Sequence, residues 1–171
     1  MGDRHALRQL YDQTATKLFG LALRITNRRD WAEDVVQESF VSIWHHAGDY
    51  RPHLAAPMTW MTAIVRNRSL DIVRRTRETP DIDEELTAAL ADEGATPARA
   101  AEARAEAHSI QDCLGELDAE QRQSLALAFF HGLTHTELAA HLRRPLGTVK
   151  THVRRGLLKL RDCLVRMGHG A

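Results

Sequence analysis

The hydrophobic and polar positions along this chain alternate mostly with the period of an α-helix. In residues 133–164 two helical patterns follow each other closely, and Thr134 with Glu137 three positions later forms a capping box. We therefore expect a short helix to begin at about Thr134. Pro145 can open a helix but not continue one, so it separates this helix from a longer one. The pattern predicts a helix-turn-helix.

The longer helix has a hydrophobic side and a basic side. A predicted core stripe runs through Val149, Val153, Leu157, Leu160 and Leu164. Donor side chains point elsewhere, at Lys150, Thr151, Arg154 and Arg155. Such donors, near the start of a recognition helix, reach base edges and phosphates in the major groove of DNA. A basic helical face is usually only solvated, but the cap, turn, proline and stripe together favour DNA binding.

The first part of the chain predicts further helices. Asp30 with Glu33 forms a second capping-box pattern, before a helix that includes residues 31–47. Its expected core face consists of Val36, Phe40, Ile43 and Trp44. Its opposite side is partly acidic and partly apolar, with Asp34, Gln37, Glu38, Val41 and His45. This mixed face is suited to a protein partner, although a merely solvated face fits the pattern equally well.

The segment DYRPHLAAP is a predicted loop, and a helix with a basic polar side follows it. Arg68 and Arg75 share one face of that helix, and Asn67 and Arg74 share a neighbouring one. An aromatic-bearing loop beside such a helix suits single-stranded nucleic acid, because bases can stack while cations hold phosphates. Trp60 is more simply interpreted as a core anchor than as a stacking platform.

The net charge of zero conceals a pattern along the 171 residues. Residues 1–77 carry twelve Lys and Arg against eight Asp and Glu, and residues 113–171 carry nine against five. Between them, residues 78–112 carry two against ten. Two basic segments thus flank an acidic one, as expected for two nucleic-acid-facing domains joined by a connector that does not bind DNA.

Several classes of function lack support in the sequence. No apolar run approaches the roughly 20 residues that span a bilayer, and no leader pattern follows Met1, so we expect a cytoplasmic protein without membrane insertion. Cys113 and Cys163 are far apart, which argues against a structural disulfide or a zinc site. The histidines do not form a one-face metal pair, and no catalytic motif occurs. We therefore expect no metal, no cofactor and no enzymatic activity.

Three blocks of the sequence, in this order, resemble the extracytoplasmic-function (ECF) sigma factors of the bacterial sigma-70 family. AEDVVQESFVSIW resembles the segment that binds the clamp helices of the largest subunit of RNA polymerase. TWMTAIVRNRSLDIVRR resembles the promoter −10 segment, and LDAEQRQSLALAFFHGLTHTELAAHLRRPLGTVKTHVRRGLLKLRDCL resembles the −35 domain. The resemblance covers nearly the whole chain.

The resemblance implies a role for specific residues. The polymerase contacts would be Asp34, Gln37, Glu38 and Val41. The melted −10 strand would meet Tyr50, Arg51, Arg66, Asn67, Arg68 and Arg74. The −35 duplex would meet Thr148, Lys150, Thr151, Arg154 and Arg155. The implied partners are core RNA polymerase, promoter DNA and an anti-sigma factor that holds the protein inactive.

The sequence also departs from the family pattern. His135 and Thr136 follow the cap where the family commonly has an aromatic residue and an acid, and His152 stands where the family usually has arginine. The exchange at His152 would weaken one phosphate contact at neutral pH. The loop RPHLAAP is unusually apolar. A promoter sequence therefore does not transfer from the family to this chain.

Together these patterns predict an all-α protein of two small helical domains, the second of which is a helix-turn-helix. The predicted limits are 1–77 for a region 2-like domain, 78–108 for an acidic flexible linker and 109–171 for a region 4-like domain. The rival interpretation is a stand-alone helix-turn-helix regulator that binds two-fold operators without polymerase. A third is a protein-interaction adaptor whose basic helices meet acidic partners. Replacing Asp34 and Gln37 would distinguish them, because only the sigma-factor interpretation makes polymerase binding depend on these residues.

Overall fold

The computed structural model describes residues 3–76 and 108–168, in which all of the regular secondary structure is helical. The all-α prediction is therefore confirmed. The chain divides into two compact units within residues 1–92 and 93–171, and we call their described parts the first unit and the second unit. The predicted domain limits stay predictions, and the predicted linker lies outside the described residues except for position 108.

The first unit consists of three long helices and one short turn of 3-10 helix. They are α1 (Arg4–Thr26), α2 (Arg29–His46), the 3-10 turn (Ala47–Asp49) and α3 (Pro57–Thr76). All three α-helices pack against one another. Their shared core is aliphatic apart from one phenylalanine, and it consists of Leu18, Ala22, Ala32, Val35, Val36, Phe40, Ile43, Met61 and Val65. The expected core face of α2 is thus confirmed, with Trp44 only half-buried.

The predicted capping box at Asp30 and Glu33 is wrong. The N-cap of α2 is Arg28, which makes no side-chain capping bond. Asp30 instead forms an ion pair with Arg28, and Glu33 accepts a 2.9 Å hydrogen bond from Nε of Arg29. Arg28 and Arg29 bind the two carboxylates, so Asp30 and Glu33 do not form the predicted capping box. Hydrogen bonding to Arg28 also lowers the pKa of Asp30.

The second unit consists of four helices. The helices are α4 (described residues 108–115), α5 (Ala119–Phe130), α6 (His135–His141) and α7 (Leu146–Arg166). Asp118 caps α5, because its Oδ1 accepts from the backbone N–H of Gln121 at 2.8 Å. Gly132 follows α5 with φ of 65°, a conformation that favours glycine.

The helix-turn-helix is formed by α6 and α7. Thr134 and Glu137 make both bonds of the predicted capping box, at 2.7 Å to the Thr134 N–H and 3.3 Å to the Thr134 Oγ1. Between the helices, Arg143 adopts a left-handed φ of 50°, and Pro145 is the N-cap of α7. The chain therefore reverses within four residues, and α7 begins where the proline predicted a new helix.

The core of the second unit is small, and a disulfide crosses it. Its buried hydrophobic residues are Cys113, Leu117, Leu127, Leu138, Val149 and Cys163. Cys113 and Cys163, 50 positions apart, form a disulfide with 5.6 Å between their Cα atoms. The expectation of no structural disulfide is therefore wrong. Spacing along the sequence could not show that α4 packs beside the far end of α7.

The predicted core stripe of α7 is only partly confirmed. Val149 is buried, Val153, Leu160 and Leu164 are half-buried, and Leu157 is 53% exposed, whereas Gly156 is buried. A Cβ atom at Gly156 would lie 3.0 Å from Cδ1 of Leu125 and 3.4 Å from Cβ of Gln121. Because glycine has no side chain, α5 and α7 can approach closely at this position. The side of α7 that carries Gly156 is therefore buried, and the side that carries Leu157 is not.

Candidate nucleic-acid and protein interfaces

One side of α2 forms an exposed acidic face, which we define as Asp34, Gln37, Glu38 and Val41. These residues recur three and four positions apart and therefore lie along one stripe of the helix, opposite the buried Val35, Val36 and Phe40. Val41 is 57% exposed. The fold thus brings together the four residues predicted to contact polymerase. A large apolar side chain beside carboxylates suits a protein partner with basic and apolar groups.

On α3, three of the residues predicted to contact the −10 strand line one cavity. This pocket, which we call the basic cavity, is open to solvent and has a volume of about 320 Å³. The residues that line it all belong to α3, and they are Arg66, Asn67, Leu70, Asp71 and Arg74. The pKa of Arg66 is lowered, first by burial and then by the positive charge of Arg74. An anion bound between the two guanidinium groups would relieve this repulsion, so the cavity fits a phosphate of a nucleic-acid backbone.

Arg68 does not line this cavity. Its guanidinium forms an ion pair with the carboxylate of Glu38 on α2. The two residues are 30 positions apart, and the family resemblance assigned them to different partners. The structure therefore connects the acidic face to the basic side of α3 through one pair of side chains.

The loop between the 3-10 turn and α3 is held by its own residues. The Tyr50 ring lies 5.4 Å from the Trp60 ring, and the Tyr50 hydroxyl donates to the backbone carbonyl of Ala55 at 2.9 Å. Arg51 donates to the carbonyls of Gly48 and Tyr50. Tyr50 is half-buried, so within this structure it closes the loop. Trp60 packs against the hydrophobic core, which confirms that it is a core anchor.

The recognition face of α7, which we define as Lys150, Thr151, Arg154 and Arg155, is exposed. Its three cations form no ion pair with any residue in the described ranges 3–76 and 108–168. The Thr151 hydroxyl donates to the carbonyl of Gly147 at 2.8 Å, which leaves its oxygen to accept. Thr148, also predicted to contact DNA, is half-buried.

Glu120 joins three parts of the second unit, a role that the sequence pattern did not indicate. One of its oxygens lies 2.5 Å from Nη2 of Arg144 in the turn, and the other lies 3.4 Å from Nε2 of His152 on α7. The His152 side chain is only 20% exposed, so it faces α5. In its local sequence Glu120 is an ordinary acid in the first turn of a helix. No local pattern indicates partners 24 and 32 positions away.

Neither a metal centre nor a membrane span is found in the described parts of the chain. Residues 3–76 and 108–168 contain no cluster of three or more His, Cys, Asp or Glu side chains that could hold a metal ion. Among the helices in the same ranges, none is both long and apolar enough to cross a membrane.

The fold and these surfaces define a class of two-unit helical proteins with a helix-turn-helix in the second unit. Residues 10–79 match the family described as Sigma-70 region 2, and residues 107–160 match Sigma-70, region 4. The first match contains the acidic face and the basic cavity, and the second contains the whole recognition face.

Two relatives with similar sequences agree with these matches. The chain is 32% identical to the ECF RNA polymerase sigma factor SigK of Mycobacterium ulcerans (strain Agy99), over 95% of this chain and 88% of that protein. It is 29% identical to SigK of Mycobacterium sp. (strain KMS), over 95% and 84%. Among solved structures, Rhodobacter sphaeroides SigE in complex with the anti-sigma ChrR is 30% identical, with a TM-score of 0.46, over 94% of this chain and 89% of that one. The chain belongs to the ECF sigma factors of the sigma-70 family.

Proposed function

We propose that the acidic face binds core RNA polymerase, that the basic cavity and the neighbouring loop hold the melted −10 strand, and that the recognition face binds the −35 duplex. The observation that carries this proposal is the structure of the first unit. It presents an acidic face with an exposed valine on α2 and a basic cavity on the adjacent α3. One unit can therefore bind a protein and a nucleic-acid strand at the same time.

The proposed mechanism of promoter opening is strand capture. Arg66 and Arg74 hold phosphate, Asn67 offers an amide to a base or sugar, and the Tyr50 loop borders the path of the strand. A double helix does not present its bases to this surface. Binding of the opened strand therefore lowers the free energy of the melted state relative to the duplex.

The proposed −35 contact uses the three exposed cations of α7. They stand near the start of the second helix of a helix-turn-helix, the position from which recognition helices enter the major groove. Because they have no ion-pair partner in residues 3–76 and 108–168, phosphate contact does not require breaking an ion pair within these ranges. The affinity for DNA should decrease as salt concentration rises.

We further propose that the protein supplies recognition rather than chemistry. It directs the catalytic polymerase to promoters and acts where that enzyme and the chromosome are, in the cytoplasm. An anti-sigma protein that covers the acidic face or the exposed side of α7 would keep it inactive. The exposed apolar residues Leu157, at 53%, and Val165, at 57%, support a protein partner for the second unit.

Run-off transcription tests the proposed function. The purified chain is added to core RNA polymerase with a library of genomic promoter fragments, and the transcripts are sequenced. We expect start sites that share two upstream elements, with none of them used by core polymerase alone. Replacing Lys150 and Arg154 by alanine should reduce transcription from promoters that need the −35 element. The proposal is wrong if the chain selects no promoter with core polymerase.

A further inference from the structure

The ion pair between Glu38 and Arg68 joins two surfaces that bind different partners under the proposed function. Glu38 belongs to the acidic face of α2, and Arg68 projects from a side of α3 other than the one that carries the basic cavity. Their side chains are 59% and 35% exposed. The pair therefore lies at the surface, where an incoming partner can reach both groups.

A guanidinium that is paired with a carboxylate is a weaker ligand for phosphate. Carboxylate and phosphate oxygens both bind the planar fork of arginine, so Glu38 and a DNA strand compete for Arg68. An exposed ion pair contributes little to stability. Exchanging Glu38 for a phosphate as the partner of Arg68 therefore costs little free energy, and a positively charged group that binds Glu38 can drive this exchange.

We propose that Glu38 restrains Arg68 in the free protein, and that polymerase releases Arg68 for the −10 strand when its basic side chains take over Glu38. The inference rests on the proposed binding of polymerase to the acidic face. It adds a physical link between the two binding events. Because such coupling is reciprocal, a bound strand also increases the affinity for polymerase by the same factor.

The structure supplies a matched control for this link. Glu33 lies on the same helix, is exposed and forms an ion pair with Arg29 at 2.9 Å. Glu33→Gln and Glu38→Gln therefore make the same change in net charge on α2, and each breaks one surface ion pair. Only Glu38→Gln frees an arginine on α3, the helix that also carries the basic cavity.

The first experiment measures strand binding by the full chain without polymerase. The probe is a fluorescein-labelled oligodeoxythymidine of about 12 nucleotides, and fluorescence anisotropy is followed at low salt. We expect Glu38→Gln to bind about two- to fivefold more tightly than Glu33→Gln, the size that one exposed ion pair can account for. The double variant Glu38→Gln/Arg68→Gln should bind no more tightly than Arg68→Gln. Equal binding by the two glutamate variants, or a gain that survives the removal of Arg68, overturns the inference.

The second experiment repeats the measurement with saturating core polymerase. Polymerase then already contacts Glu38 wherever this residue is present. The ratio of the strand affinity of Glu38→Gln to that of Glu33→Gln should therefore fall towards one. An undiminished advantage contradicts release by polymerase. The two proposals fail separately, because a chain that does not bind core polymerase refutes the proposed function, whereas the measurement without polymerase still decides whether Glu38 restrains Arg68.

Discussion

The two units of this protein are both helical, but they are stabilised in different ways. In the first unit three helices of 18 to 23 residues pack together and bury twelve hydrophobic residues. In the described part of the second unit only six are buried, and two of these are the cysteines of the disulfide. Helix caps, a close approach at Gly156 and a covalent link thus replace hydrophobic area in the second unit.

The binding surfaces differ in a corresponding way. The first unit places two surfaces on adjacent helices, where the Glu38–Arg68 pair connects them. The second unit places its recognition face on one helix, and the three cations of that face form no ion pair within the described chain. Glu120 on α5 contacts both the turn before this helix and His152 on it. Under the two proposals, the first unit therefore binds two partners whose binding is coupled, whereas the second unit binds DNA through a single face.

The largest expected effect tests the core of the first unit. Phe40 is buried and its ring lies 4.7 Å from that of Tyr11. Phe40→Ala should lower the free energy of unfolding by about 3–5 kcal/mol, because it removes an aromatic ring and leaves a cavity. Hydrogen exchange measured by mass spectrometry should show faster exchange in α1–α3 and little change in α5–α7. The neighbouring exposed Val41→Ala is the control and should change stability by less than about 0.5 kcal/mol. Equal exchange in both units for Phe40→Ala would show that their stabilities are not separate.

Loss of the disulfide should lower the free energy of unfolding almost as much, and only in the second unit. Cys113→Ala/Cys163→Ala opens a link across 50 positions and should cost about 2–4 kcal/mol. Reduction of the wild-type protein should produce a shift of the same sign in thermal unfolding followed at α5–α7. If the reduced protein, with two free thiols confirmed by a thiol assay, melts like the oxidised one, the disulfide does not stabilise this unit.

The recognition face provides the third prediction. Lys150→Ala/Arg154→Ala should weaken binding to a −35 duplex about 30-fold or more, since each side chain that binds a base or phosphate contributes about 1–3 kcal/mol. The dependence of affinity on salt should become less steep by about one for each phosphate that the variant no longer binds. Lys159→Ala/Arg161→Ala is the matched control, because it also removes two positive charges from α7, at residues that pair with Asp118 and Asp162. A similar decrease in affinity for this control would mean that only total charge matters.

The smallest effect concerns Glu120 as a positioning residue. Glu120→Gln removes the ion pairs to Arg144 and His152 and should reduce the ratio of specific to non-specific duplex affinity about two- to fivefold. Competition binding with a −35 duplex and a scrambled duplex measures this ratio. Glu116→Gln gives the same charge change at the Arg166 pair, so it serves as the control. The same ratio in both variants would remove any special role of Glu120.

The sequence predicted the features of this fold that depend on neighbours along the chain. Helical periodicity located the helices, and the Thr134–Glu137 box was correct because both capping partners lie within one helical turn. The same pattern was wrong at Asp30 and Glu33, because these carboxylates form ion pairs with Arg28 and Arg29 at the start of the helix. The predicted hydrophobic stripe of α7 was wrong at Leu157, because α7 packs against α5 through Gly156 and Leu157 is left exposed.

The candidate sites were predictable to a similar extent. Helical spacing was sufficient to predict that the residues of the acidic face share one side of α2, and three of the five residues that line the basic cavity were among the predicted −10 contacts. It could not reveal the disulfide, the Glu38–Arg68 pair or the ion pairs of Glu120, which join residues at least 24 positions apart. Those features depend on how the helices pack, and packing is decided by the whole unit rather than by a local pattern.

The most direct test of the account is the affinity of the chain for core RNA polymerase when the acidic face is changed. We expect the wild-type chain to bind core polymerase and Asp34→Ala/Gln37→Ala to bind it at least about tenfold more weakly, as befits two residues at the centre of a protein interface. The variant should keep its affinity for a −35 duplex, because the recognition face lies in the other unit. Unchanged polymerase binding by the variant would contradict the account, and so would a wild-type chain that ignores polymerase and binds two-fold operators as a dimer.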